Sequence, residues 1–154
     1  MSATPDLTPT EIDALIATMD EAADAYISGR ARDYFRLIRQ AEDFTLMPPY
    51  GGETRRYEPV TDEGIADTER YFPSGEATLQ VEQTYASGEL VVIVAVERQH
   101  GVLDGRPDQD LSLRVTLVFR RIADGWELAH RHADPLVRPI SIDHLAALAR
   151  GLDE

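Results

Sequence analysis

The chain has no cysteine among its 154 residues. That excludes a disulfide framework, a zinc–thiolate site, an iron–sulfur cluster and a cysteine nucleophile. It has no lysine either: all 15 basic residues are arginine, so Schiff-base chemistry and the lysine of a phosphate-binding loop are absent. Against them stand 28 acids, which leave a net charge of −13. A field of that sign repels nucleic acid unless a local basic face outweighs it, and no nucleic-acid partner is expected. No apolar run approaches the length of a bilayer, and the opening MSATPDLTPTE lacks the basic and apolar regions of a secretory signal, so neither a membrane partner nor export is expected. The location read from this is cytoplasmic. What remains is ordinary for a folded chain: 43% hydrophobic and 28% charged. One domain over 1–154 is the expectation, burying about two-thirds of its unfolded surface.

The first helix is announced by Thr8-Pro9-Thr10-Glu11, a capping threonine, a proline at the first helical position and a glutamate placed to close a capping box. Ile12, Leu15, Ile16, Met19, Ala23, Tyr26 and Ile27 recur at helical spacing, with Asp13, Asp20, Glu21 and Asp24 on the other face, up to a stop at Ser28-Gly29. A second helix is predicted over about 31–41, with Tyr34, Phe35 and Ile38 as its apolar stripe. A short strand at 43–47 ends at Pro48-Pro49, the polar stretch 52–60 is a loop, and Thr61-Asp62-Glu63 opens a short helix that ends near Tyr71-Phe72. From there the apolar period becomes two. Strands are predicted at 76–86, 89–100, 110–121 and 126–134, separated by Ser87-Gly88, Asp104-Gly105 and Asp124-Gly125, and Ser141 caps a last short helix. Helices followed by an antiparallel meander give an α+β fold with helices on one face of the sheet.

Two-residue turns at Asp104-Gly105 and Asp124-Gly125 fix which side chains share a face. On that register Val92, Val94, Val96 and Arg98 join Leu113, Val115, Leu117 and Phe119, then Leu128, His130, His132 and Asp134. This face is the more apolar one and should take the helices. The opposite face, with Val91, Ile93, Thr116, Val118 and Ala129 among Glu97, Arg114, Arg120, Glu127 and Arg131, is too apolar for water and predicts a homodimer.

The order of elements and the ending Gly125-Trp126-Glu127-Leu128-Ala129-His130-Arg131-His132-Ala133-Asp134-Pro135 resemble the NTF2-like superfamily. The Asp43-to-Pro49 strand after two helices and Arg114-Val115-Thr116 before Phe119-Arg120-Arg121 point to its SnoaL-like or DUF4440 branch, which is similar to the association domain of calcium/calmodulin-dependent kinase. The resemblance implies a strongly curved sheet around a conical cavity closed by the N-terminal helices, usually as a homodimer. It implies no single activity, since the superfamily holds isomerases, cyclases, dehydratases, epoxide hydrolases and assembly modules. The Tyr/Asp set of steroid isomerases and the Asp-Arg-Asp relay of limonene-epoxide hydrolases have no residue-by-residue match here.

Within such a cavity His130 and His132, at strand spacing, share one face and suit proton transfer, with Asp134 as base or as the partner that orients His132. The alternative is that they cap the open end of the core and bond to backbone or tyrosine hydroxyls. No metal or other cofactor is expected, because no glutamate follows the His-x-His pair to complete a ligand set. Arg98 suits a carboxylate, or else pairs with Asp134, and Tyr50 stands at the rim. Met47 and Tyr34 complete the predicted ligand contacts, though side chains of this kind are more often core. Two functions therefore stand open. One is small-molecule binding with His/Asp acid–base chemistry of an isomerase, cyclase or dehydratase kind, on an apolar or carboxylate-bearing ligand. The other is a non-catalytic binding or assembly module.

Overall fold

A computed structural model describes residues 6–151. Its elements run α1 (Pro9–Ile27), α2 (Ala31–Leu37), β1 (Gln40–Met47), β2 (Arg55–Arg56), α3 (Asp62–Tyr71), β3 (Gly75–Ser87), β4 (Leu90–Gly101), β5 (Gln109–Asp110), β6 (Leu113–Ile122), β7 (Gly125–Asp134) and α4 (Ile142–Ala149). The fold is α+β, with helices against a curved, mainly antiparallel sheet of seven strands in the order β2-β1-β7-β6-β4-β3, and β5 added to β4. Only β1 and β7 run parallel.

The capping box forms as the sequence predicts. Thr8 Oγ1 accepts from the Glu11 N–H, and the Thr8 N–H donates to the Glu11 carboxylate at 2.7 Å. α1 buries Leu15, Met19, Ala22, Ala23, Ala25 and Ile27 against the sheet. Asp20 and Asp24, expected in solvent, instead accept from the backbone N–H groups of Leu79 and Ala77 at 2.7 and 2.9 Å. The open edge of β3 is thereby covered, which denies it to another strand. Gly29 turns the chain after α1 at φ +80°, where a Cβ would stand 2.6 Å from the Pro73 carbonyl oxygen.

α2 is shorter than its periodicity predicts. Ile38 turns extended, and Leu128 donates its N–H to the Arg39 carbonyl at 2.8 Å, so β1 begins where the helical stripe was expected to continue. Sheet pairing here overrides helix propensity.

The inner face of the sheet carries Val91, Ile93, Ala95 and Glu97 from β4, Leu113, Val115, Leu117 and Phe119 from β6, then Leu128, Arg131 and Ala133 from β7. This differs from the expected register in three places. Ile122 pairs with Gly125, so the β6–β7 turn is Ala123-Asp124 and not Asp124-Gly125, a two-residue slide that leaves the faces unchanged. Gly101 pairs with Gln109, so an odd number of residues joins the ladders where an even turn was expected, and every β4 side chain changes face. In β7, Phe119 pairs with Leu128 but Val118 pairs with His130, which leaves Ala129 as a β-bulge. That extra residue turns His130, His132 and Asp134 outward and brings Arg131 inward.

Candidate functional site

The inner face is apolar except at one place. Glu97 continues the buried row Val91, Ile93, Ala95, and the bulge in β7 aims Arg131 at it. The two form a bidentate pair, Arg131 Nη1 to Glu97 Oε1 at 2.7 Å and Nη2 to Oε2 at 2.8 Å. The side chains are 17% and 4% exposed. Burial works against the charge on Arg131, and Glu97 more than restores it, so the guanidinium stays above its ordinary range. Two tyrosines from the helices stand close enough to feel this pair. Tyr34 of α2 packs edge-on against Tyr26 of α1, with ring centroids 5.1 Å apart. Burial pushes the Tyr34 phenol up to about 12 and raises Tyr26 as well. Both are therefore neutral hydroxyls at physiological pH, able to bond and unable to act as bases. Among the described residues no buried side-chain nitrogen or oxygen lacks a hydrogen-bond partner, and the Tyr26 hydroxyl finds one outside this group in Thr68 of α3.

The residues predicted to share a cavity are placed differently. His130, His132, Asp134, Arg98 and Met47 stand on the outer face, and the two changes of face act together, so Val94 and Val96 remain beside them while Val115 and Leu117 do not. They do not converge on a void. His130 Nδ1 lies 2.7 Å from the Thr45 hydroxyl, and His132 is exposed beside Met47 and Thr116. Asp134 accepts from Arg114 at 2.9 and 3.0 Å and from the Leu136 N–H. The Arg114 guanidinium holds the Asp134 carboxyl below the usual carboxylate range. Arg98 donates to Gln80 at 3.1 Å, not to Asp134. Tyr50 is 73% exposed on a loop, with the Arg55 guanidinium over its ring. Of the predicted set, Tyr34 lies at the inner polar centre, and Tyr50 comes within electrostatic range of Tyr26 there. Sequence reading missed Glu97, Arg131 and Tyr26 as a group; the available signal was a lone acid ending a buried i, i+2 row.

The expected dimer face is likewise rearranged. Val91 and Ile93 are fully buried under the helices, and the Glu97 and Arg131 expected to reach a partner pair with each other. Thr116, Val118, Arg114, Arg120 and Glu127 stay outside, joined by Val92, Val94 and Val96. Arg120 is clasped by Asp43 and Glu127 at 3.0 and 2.9 Å.

Comparison with known proteins places this fold. Residues 15–137 match the family model of the SnoaL-like domain. The chain belongs to the SnoaL-like family. Its structure is similar to that of a proposed dehydratase of the NTF2-like family from Streptomyces avermitilis, at 19% identity and TM-score 0.64 over 84% of this chain and 96% of that one. It is also similar to the CaMKII hub homology domain of Chlamydomonas reinhardtii, at 15% identity and TM-score 0.60 over 81% and 98%. A proposed aromatic ring hydroxylase from Novosphingobium aromaticivorans aligns at 19% identity and TM-score 0.61 over 88% and 95%. No curated protein matches the chain. At these identities the likeness extends to the fold. No described helix is long and apolar enough to cross a membrane.

Proposed function

We propose that this SnoaL-like chain is a non-catalytic assembly module whose outer sheet face pairs with the same face of a second copy. The observation that carries this reading is the way charge is arranged on that face. Arg114 is held by Asp134, and Arg120 by Asp43 and Glu127, each within one chain. Between these ion pairs runs an apolar stripe of Val92, Val94, Val96 and Val118, bordered by Leu90 and Met47, each 42% exposed, and Tyr85 at 60%. Such a stripe favours burial, and Arg114 and Arg120 enter the interface already held by carboxylates of their own chain. His130 and His132 would then serve as interface side chains. The similarity to hub domains supports the same reading.

Light scattering coupled to size exclusion tests it. The chain at micromolar concentration should elute at a multiple of 17.2 kDa, and Val94→Arg, still folded, should elute at a lower multiple. A wild-type monomer at that concentration overturns the reading.

A second reading rests on the inner polar centre. A small carboxylate-bearing ligand could take the place of Glu97 on Arg131, with the Tyr26 and Tyr34 hydroxyls as donors. Native mass spectrometry of the purified protein would then show a bound organic acid, lost in Arg131→Met. Acid–base catalysis by His130, His132 and Asp134 has less support, since Asp134 is engaged by Arg114 and no apolar wall encloses the three.

A further inference from the structure

α4 is built as an amphipathic helix and has nothing to pack on. Ile142, Leu145 and Leu148 form one stripe, are 78%, 49% and 46% exposed, and no residue of the helix is buried. Eight residues are too few to hold a helix in water without a surface beneath it, since isolated helices are marginal below about 12–15 residues. Between α1, α2 and the β6–β7 hairpin lies a groove of about 310 Å³, with the buried Leu15, Ile38 and Phe119 as its floor and the half-buried Ile122 and Trp126 beside them.

We infer that the α4 stripe of one copy docks in the α1/α2/hairpin groove of a second copy, a contact distinct from the outer-face pairing and independent of it. The stripe runs from Ile142 to Leu148, seven residues and about 9 Å along the helix axis, and presents aliphatic side chains to an apolar wall. Charge agrees with the fit. Arg39 stands at the groove and is held only loosely by Asp124, at 3.8 Å with both side chains largely exposed. Asp143, in the first turn of α4 beside Ile142, has no ion pair among the described residues and can replace Asp124 on that guanidinium.

The helix is not seated in the groove of its own chain. β7 starts at the groove and leaves it: Trp126 to Asp134 is eight steps of strand, about 26 Å at 3.3 Å each. Beyond Asp134 the chain turns across the same end of the sheet, where Arg138 comes within electrostatic range of Asp110 on β5. No residue of α4 lines the groove, so its occupant is the helix of a second copy. The contact joins unlike surfaces, so repetition links copies head to tail, into a reciprocal pair or a ring.

The absence of cysteine allows a clean test by disulfide trapping. Thr18→Cys marks the groove and Leu145→Cys the helix, each made in a Val94→Arg background so that outer-face assembly plays no part. Separately purified chains of different tag mass are mixed with oxidised glutathione at micromolar concentration and read by non-reducing mass spectrometry. The disulfide between position 18 of one chain and position 145 of another should exceed, by at least about tenfold, the yield of the same helix variant with Ser87→Cys at the exposed β3–β4 turn. Equal yields overturn the proposal. So does a Thr18→Cys/Leu145→Cys double variant that closes its disulfide within one chain at high dilution, since the occupant would then be the chain's own tail. Because every arm carries Val94→Arg, failure here is separate from failure of the outer-face reading, which rests on the drop in mass from wild type to Val94→Arg.

Discussion

The two faces of the sheet each hold an arginine gripped by a carboxylate in bidentate fashion, and the surroundings make them different objects. Inside, Arg131 and Glu97 meet at 2.7 and 2.8 Å with side chains 17% and 4% exposed. Outside, Arg114 and Asp134 meet at 2.9 and 3.0 Å with side chains 55% and 32% exposed. The inner pair has given up water and depends on itself. The outer pair can fall back on solvent in a single chain and loses that fallback if a second copy covers it. Two bidentate pairs thus differ in energetics through their surroundings, and the inner pair is where the fold is most easily broken.

The largest effect should follow from breaking the inner pair on one side only. Glu97→Ala leaves Arg131 charged and without its partner, and should cost about 3–5 kcal/mol. Replacing both, as Glu97→Leu with Arg131→Met, should restore most of that, because the buried charges leave together. Urea denaturation of wild type and the two variants checks it. A double variant no more stable than Glu97→Ala would mean that the pair itself, and not the orphaned charge, carries the stability.

The rim between the two faces should respond next. Asp20 and Asp24 on α1 accept from backbone N–H groups of β3, so Asp20→Ala strands the Leu79 N–H at a partly buried place. A loss of about 1–3 kcal/mol is expected. Asp20→Asn keeps an acceptor and should lose less. If alanine and asparagine cost the same, the carboxylate would be acting through its charge and not through the strand edge.

These two sites also mark what the sequence could and could not disclose. Helix existence, the meander and the fold class are written in capping residues and apolar period, which are local. The Thr8–Glu11 box is an instance, and it forms as read. The face of each side chain is a parity question, and parity is set by single residues at turns and bulges. The odd connection between β4 and β6, and Ala129 in β7, moved the candidate histidines outside and brought Arg131 to Glu97. No periodicity within β7 marks Ala129 as the extra residue; it is defined by its pairing with β6 and β1. Asp20 and Asp24 read as solvent-facing because helical spacing does not register a strand edge alongside. Tyr34 was legible as a candidate and did come to the inner centre, although only as one member of a group the pattern did not assemble.

A smaller effect should come from the outer pair. Arg114→Ala should change the stability of an isolated copy by no more than about 1 kcal/mol, the range of solvent-exposed ion pairs. Its pH dependence has a definite sign. Arg114 depresses the folded-state pKa of Asp134, so the pair contributes above the ordinary aspartate value and the contribution disappears as pH falls through the depressed one. Melting curves should therefore separate wild type from Arg114→Ala at neutral pH and converge under acid. Divergence on acidification would show that Asp134 is not the group Arg114 serves.

The smallest effect belongs to His100, near the end of β4 between β3 and β5, where its side chain is exposed. Its Nδ1 lies 3.0 Å from Asp108, just ahead of β5, and its Nε2 lies 3.4 Å from Glu76 of β3, while Asp110 of β5 pairs with it across the ladder. Asp108 above all, then Glu76, favours the imidazolium and raises its pKa above the ordinary 6.5. A raised folded-state value means that protonation helps the fold. The contribution is fully present below about pH 6.5 and is lost as pH rises through the raised value, opposite in direction to that of Asp134. Every partner is solvated, so salt should weaken the effect, as it does for exposed charges lying within a Debye length of about 8 Å at physiological ionic strength. An NMR titration of the His100 ring should give a midpoint above that of an unstructured histidine, moving down in Asp108→Asn. His100→Gln should flatten the wild-type decline in melting temperature between pH 6 and 8. If the midpoint stays put in Asp108→Asn, the short contact is not what holds the proton, and Glu76 becomes the group to replace.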